Sequence, residues 1–312
     1  MRVIVIGSYS EADRARFREA AAPADLHFAD RIDSVVDMLG ETDGVVGSVP
    51  GELLERAPKL RWVHSPAAGV NKDLSPQMLA SDVVLTSSAG NGGIPLAEHA
   101  MMLMLMLDRS ALRWIEAQRR HEWDRFTHGE LNGKTVGIVG LGNAGSDLAL
   151  KAKAFHMRVL GLRRRTNLPV EHVDRLYGRD ELAEFLPECD FVVVTAPQTP
   201  GTAGMFDRAA FAAMKPSAYF ICISRGGIAD DDALLEALRN GEIAGAGLDA
   251  HGVEPLPPES PFWDLPNVIV TPHNGATTDG TARRGRDIVA ENLRRFVRGE
   301  PLMNIVDKTA GY

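Results

Sequence analysis

Three segments in the last third of the chain join an apolar, strand-like run to a residue that handles charge or protons. In Phe220-Ile221-Cys222-Ile223-Ser224-Arg225-Gly226-Gly227 the run ends in a guanidinium beside two glycines. Ala246-Gly247-Leu248-Asp249 leads through Ala250-His251-Gly252-Val253 to Glu254, which opens a Glu-Pro-Leu-Pro stretch. Ile269-Val270-Thr271-Pro272 is followed directly by His273. An Arg, a carboxylate and an imidazole match what reduction of a carbonyl beside a carboxylate demands. That reaction needs a cation for the anion, a proton donor for the developing alkoxide, and a partner that keeps the donor protonated and oriented. The three lie far apart in the chain, so only a fold that gathers strand ends can bring them together.

A fourth segment addresses a cofactor. Val136-Gly137-Ile138-Val139 runs into Gly140-Leu141-Gly142-Asn143-Ala144-Gly145, a G-x-G-x-x-G turn between a strand and a helical pattern over 147–155. In such a turn the first glycine permits the bend, the second admits a pyrophosphate to the backbone, and the third lets helix and strand pack closely. The helix N-terminus then presents unpaired N–H groups to phosphate. About 20 residues on, where an NAD enzyme places a carboxylate for the ribose 2′-hydroxyl, this chain has Arg163-Arg164-Arg165. A carboxylate repels a 2′-phosphate and a guanidinium grips it with paired, charge-assisted hydrogen bonds, so NADP(H) is the expected cofactor, with NAD the weaker alternative.

The elements that must position these groups alternate throughout. Strand candidates fall at 2–6, 26–28, 44–47, 62–65 and 83–86, then, after a long Met- and Leu-rich helix over 95–120, at 135–139, 158–162, 191–195, 219–224, 246–249 and 268–271. Strands alternating with helices predict parallel α/β architecture. The fold class is therefore α/β, with two doubly wound parallel-sheet domains. The expected boundaries are 1–95 with 280–312 for a discontinuous first domain, to which a helix over 279–298 returns, and 96–279 for the second. A chain of 312 residues suits two cores. The net charge of −8 disfavours nucleic acid and anionic membranes as partners. The run Ala100-Met101-Met102-Leu103-Met104-Leu105-Met106-Leu107 is too short to span a bilayer and reads as core. Cys189 and Cys222 lack metal-ligand spacing and read as buried thiols, and no metal is expected. With no signal-peptide pattern at Met1-Arg2-Val3, a cytoplasmic location is expected.

On these motifs the chain resembles the D-isomer-specific 2-hydroxyacid dehydrogenase family over nearly its whole length. The resemblance implies a flavodoxin-like substrate domain, a Rossmann dinucleotide-binding domain, and a homodimer formed through the 95–120 helix and the arm near Trp123. It implies a catalytic set of Arg225, Glu254 and His273. It places Asp249 near the nicotinamide carboxamide and Pro197 among the cofactor residues. It also makes Ala68-Gly69-Val70, with Arg225 and His273, the receivers of the substrate. The expected activity is interconversion of a 2-oxo acid and a D-2-hydroxy acid, as in glyoxylate/hydroxypyruvate reductases. A dinucleotide-sensing corepressor is the non-enzymatic alternative. Relatives often have Asp-Val-Phe where this chain has Asp249-Ala250-His251. His64 and His251 stay candidates for the pocket wall, while His99, beginning a helix, reads as structural.

Overall fold

The computed structural model describes residues 1–164 and 166–311. Arg165, one of the three expected phosphate-binding arginines, lies outside them. The chain forms two compact units: Met1–Asn91 with the segment from Thr278 onward, and Gly92–Thr277.

In the first unit the order is β1 (Arg2–Ile6), α1 (Glu11–Ala21), β2 (Asp25–Ala29), β3 (Gly44–Val46), α2 (Gly51–Leu54), β4 (Trp62–Ser65), α3 (Pro76–Ala80) and β5 (Val84–Ser87). Among the described residues the strands form one parallel sheet in the order β2-β1-β3-β4-β5. Helices covering both faces leave Val3, Ile4 and Val5 fully buried, which is why β1 reads as an unbroken apolar run. Ser10 caps α1 by accepting the Asp13 N–H. That helix turns Phe17 and Ala21 onto Val3, Val5 and Trp62, where Val289 and Leu293 of the closing helix join them. The other face packs Ile4, Val45, Val63 and Leu85 on Leu39 and Met78.

The second unit opens with α4 (Gly93–Asp108) and α5 (Ala111–Arg119). There follow β6 (Thr135–Val139), α6 (Asn143–Ala154), β7 (Arg158–Leu162), β8 (Arg175–Tyr177), α7 (Leu182–Phe185), β9 (Phe191–Val194) and α8 (Arg208–Ala212). The unit ends with β10 (Tyr219–Cys222), α9 (Asp231–Asn240), β11 (Gly245–Leu248) and β12 (Val268–Val270); α10 (Asp279–Arg298) belongs to the first unit. The parallel sheet runs β12-β11-β10-β9-β6-β7-β8 among the described residues. The strand order reverses at β6, which pairs with β7 on one side and β9 on the other. Ligands of doubly wound sheets bind at the carboxyl end of such a reversal, and the glycine turn of residues 140–145 stands there.

Two expectations need correction. The helix over 95–120 is two helices, because Ser110 adopts a left-handed φ of 51° between α4 and α5. A buried Asp108 side chain paired to Lys134 holds the break, and the Asp108 carbonyl accepts the Gly129 N–H. A left-handed residue ending a helix is normally Gly or Asn, so Ser110 gives no warning. The second correction is β8, a three-residue edge strand too short and polar to stand out. It is held in place by Asp174, whose carboxylate accepts the Val159 N–H. Most of the Met-rich run is core, with Met101, Leu103, Met104 and Leu107 packing on Val136, Ile138, Phe191 and Ile221, but Met102 is exposed.

Candidate active site

The glycine turn divides its labour by position. Gly140 has φ +97°, and a Cβ there would lie 2.6 Å from the backbone N of Ala196 on the neighbouring loop. A Cβ on Gly145 would lie 2.0 Å from the Gly140 carbonyl oxygen, so helix and strand approach as closely as backbone permits. Gly142 differs. It is exposed, and a Cβ on it would meet no described atom within 4 Å. It stands just before α6, whose first N–H groups have no carbonyl of their own helix to bond. Open space in front of a bare backbone at a helix N-terminus fits a pyrophosphate.

The other residues expected to serve the cofactor lie on several elements. Val139 pairs with Leu162, and the Gly140 N–H donates to the Leu162 carbonyl at 2.9 Å, so Arg163 follows β7 directly beside the turn. The Arg163 N–H is fixed by the Tyr177 carbonyl at 3.0 Å, and Arg164 beyond it is exposed. Leu141 is partly buried against Gly161, and Asn143 and Ala144 start α6. Pro197 lies on the exposed loop after β9, where its carbonyl accepts the Thr202 hydroxyl at 2.7 Å. Asp249, in contrast, is fully buried. Its Oδ1 accepts the Thr271 hydroxyl at 2.7 Å and the Asn274 N–H at 3.0 Å, and its Oδ2 accepts the Gly275 N–H at 2.9 Å. His99 Nε2 lies 3.0 Å from the same Thr271 hydroxyl. The carboxylate thus clamps the 271–275 turn, a role the sequence motifs did not reveal.

That turn carries His273 in a left-handed conformation, φ +50°, which costs a non-glycine residue energy and persists only where surroundings impose it. His273 Nδ1 lies 2.8 Å from both oxygens of Glu254. A carboxylate only accepts, so Nδ1 carries a proton, leaving Nε2 as the outward nitrogen. Burial opposes ionisation of Glu254, but the His251 N–H and the His273 ring outweigh it and hold its carboxyl below the usual range. Arg225 follows β10, with its Nη1 donating to the Ser224 carbonyl at 2.7 Å. The three segments meet through the backbone of His251. A Cβ on Gly226 would lie 1.9 Å from the His251 carbonyl carbon, and the His251 N–H donates to Glu254 Oε1 at 3.0 Å. What results is an imidazole held by an ionised carboxylate, next to a guanidinium-bearing turn, an arrangement capable of general acid chemistry beside a group that can pair with an anion.

In the first unit, Ala68 and Gly69 form an exposed loop after β4, and Val70 is buried. His64 proves to be sealed away. It is 0 % exposed, with Nδ1 2.8 Å from the Thr86 hydroxyl and Nε2 3.1 Å from the Ser88 hydroxyl. Burial pushes it down to about 4, so it is neutral at physiological pH. Both cysteines are buried, which raises the Cys189 thiol to about 12 and the Cys222 thiol to about 11. Among the described residues no cluster of His, Cys, Asp and Glu could hold a metal ion, and no helix is long and apolar enough to cross a membrane.

Residues 101–275 match the family model described as D-isomer specific 2-hydroxyacid dehydrogenase, NAD binding domain. A glyoxylate reductase of Pyrococcus furiosus is 35% identical over 286 residues, covering 89% of this chain and 83% of the relative. A D-3-phosphoglycerate dehydrogenase of Methanocaldococcus jannaschii is 34% identical over 263 residues, 83% of this chain; the match spans only 50% of that longer protein. Among solved structures, an NADPH-dependent glyoxylate/hydroxypyruvate reductase of Sinorhizobium meliloti, in complex with NADP and sulfate, superposes with a TM-score of 0.86 at 33% identity. That match covers 100% of this chain and 99% of the other.

Proposed function

Because the chain belongs to the D-isomer specific 2-hydroxyacid dehydrogenase family, we propose that it reduces a small 2-oxo acid to the D-2-hydroxy acid with NADPH. The observation that carries this reading is the His273–Glu254 pair, with Nδ1 2.8 Å from both carboxylate oxygens. NADPH, when bound, supplies the hydride to C2 of the oxo acid. Residues 140–145 and the start of α6 would hold its pyrophosphate, Arg163, Arg164 and Arg165 its 2′-phosphate, and Pro197, with Asp249 acting through the 271–275 turn it clamps, would help seat the nicotinamide end. Arg225 would hold the substrate carboxylate. His273, protonated on both nitrogens, would donate the Nε2 proton to the substrate oxygen while Glu254 keeps the Nδ1 proton in place. Oxidation of the hydroxy acid runs the same proton path backwards.

Glyoxylate and hydroxypyruvate lead the list of substrates, since relatives named for them match most of the chain in both directions. A homodimer belongs to the same reading. Met102, Trp114 and Ile115 on α4 and α5 are exposed, and Trp123 on the arm that follows is 92% exposed, an apolar surface that suits a second copy. The deciding experiment follows NADPH and NADH oxidation with glyoxylate, hydroxypyruvate, pyruvate and phenylpyruvate. Turnover of at least one with NADPH supports the proposal, and none with either cofactor overturns it. Higher kcat/KM with NADH than with NADPH overturns the cofactor preference alone.

A further inference from the structure

No step above uses the side chain of His251, yet this residue touches every segment of the site. It is 8% exposed. Its N–H donates to Glu254 Oε1 at 3.0 Å, the same oxygen that lies 2.8 Å from His273 Nδ1. Its ring Nε2 lies 3.0 Å from the carbonyl oxygen of Thr271, two residues before His273. A carbonyl only accepts, so this nitrogen carries a proton, and both the Nε2–H tautomer and the imidazolium supply it. The His251 carbonyl carbon is the atom that a Cβ on Gly226 would strike at 1.9 Å, so the turn after Arg225 rests on the His251–Gly252 peptide. On the far side Asp231 of α9 accepts the Gly252 N–H.

We propose that His251 is a positioning residue for the His273–Glu254 pair. Its ring, anchored on the Thr271 carbonyl, fixes the spacing between the loop that carries Glu254 and the turn that carries His273. Asp249 already ties the 271–275 turn to the end of β11; the His251 ring adds the tie that sets this turn against the loop carrying Glu254. A displacement of about 1 Å in a catalytic group is enough to cost orders of magnitude in rate. The charged groups facing His251 are Asp231 from α9 and Glu254 from its own loop, and Glu254 in turn pairs with His273. The proposal rests on the reading of Glu254 and His273 as the working pair.

Three variants of the full chain test it: H251F keeps ring volume without a donor, H251Q keeps a donor, and H251A keeps neither. Expected is an about tenfold fall in kcat for H251F with KM for NADPH within about twofold, and recovery to within about threefold of wild type in H251Q. A second readout needs no substrate. In protein labelled with 15N-histidine, at a pH where the ring is neutral, the ring signals of His273, identified by their loss in H273Q, should report the Nδ1–H tautomer in the wild type. They should report a mixture of tautomers in H251F. Wild-type kcat and an unaltered His273 spectrum in H251F overturn the proposal. So does an H251Q variant no better than H251F, which would mark a merely space-filling ring. If H251F fails to fold, the contrast between H251Q and H251A decides in the same way. An altered His273 spectrum in a protein whose wild type turns over no 2-oxo acid upholds the positioning role and removes the dehydrogenase reading.

Discussion

His64 and His273 stand at or beyond the carboxyl ends of parallel strands, one in each unit, and the fold treats them in opposite ways. His64 sits within β4 with no exposed surface. Trp62 Nε1 donates to the Thr86 hydroxyl at 2.9 Å, that hydroxyl bonds His64 Nδ1, and Ser88 takes Nε2. Asn292 of α10 completes the cluster, its Nδ2 3.2 Å from the Met303 carbonyl and 3.4 Å from His64 Nδ1. Every polar atom in that network has a neutral partner, and the ring is kept from ionising. His273 lies in an irregular turn, more than a third of its side chain exposed, in a strained backbone conformation and against a full negative charge. A residue type capable of the same chemistry is a structural crosslink in one place and, in the proposed mechanism, a proton donor in the other. Burial and the charge of the partner decide which.

The strongest way to break this comparison is to remove each ring. His273→Ala should lower kcat by a factor on the order of 10² to 10⁴, the range of a lost general acid, with the melting temperature nearly unchanged because no core contact is lost. Wild-type turnover would remove His273 from the mechanism. The pH dependence sharpens the point. Glu254 titrates below the usual carboxylate range, so its pairing with His273 is intact above the ordinary carboxylate pKa. It is lost only as the pH falls through the depressed value. Turnover measured directly at pH values bracketing that range reports loss of the pair, and its recovery on return to neutral pH separates this from loss of the fold.

For His64 the same acidification acts on stability. The unfolded chain takes up a proton near pH 6.5 and the folded one only near 4. Between those values the unfolded state binds more protons, so acid favours unfolding. The loss amounts to about 3 kcal/mol by pH 4 and no more below it, since both states are then protonated. Urea denaturation followed by tryptophan fluorescence, with Trp62 beside the ring, should show this slope, and H64Q should flatten it. An unchanged slope in H64Q would place the acid sensitivity elsewhere.

How much of this was legible beforehand follows from what each feature depends on. Strands such as β1, β6 and β7 are short apolar runs buried on both faces, and their bounds fall where the residues change type. The Arg-Gly, Glu-Pro and Pro-His pieces were visible because each combines an unusual backbone residue with a reactive one. The break at Ser110 was not, because a long-range pair, Asp108 with Lys134, imposes it on a sequence with good helix propensity. The clamp by Asp249 and the anchor by His251 were hidden for a related reason. Both are contacts between residues 20 to 26 apart, made mostly to backbone atoms, and any turn sequence offers backbone atoms.

A second comparison sets NADPH against NADH at the loop after β7. Replacing Arg163 and Arg164 together with Ala should lower kcat/KM for NADPH by about 10- to 100-fold, the worth of one or two charge-assisted hydrogen bonds to phosphate. Efficiency with NADH should change little. A parallel fall with both cofactors would mean that the arginines hold the loop and not the phosphate.

The smallest effect expected on the fold is also the most discriminating. Gly145→Ala and Gly140→Ala force a methyl into backbone at 2.0 and 2.6 Å, so both should destabilise the second unit whether or not it ever binds a nucleotide. Gly142→Ala should not: its φ is −89° and no described atom lies within 4 Å of the added methyl. Its melting temperature without nucleotide should match the wild type within a degree or two, because Ala in place of an exposed Gly alters stability by only about 1 kcal/mol. The stabilisation that NADPH gives the wild type should then shrink or vanish, since the methyl occupies the space through which phosphate would approach. Equal thermal shifts with NADPH in the two proteins would mean that the open face of Gly142 is not where the pyrophosphate lies.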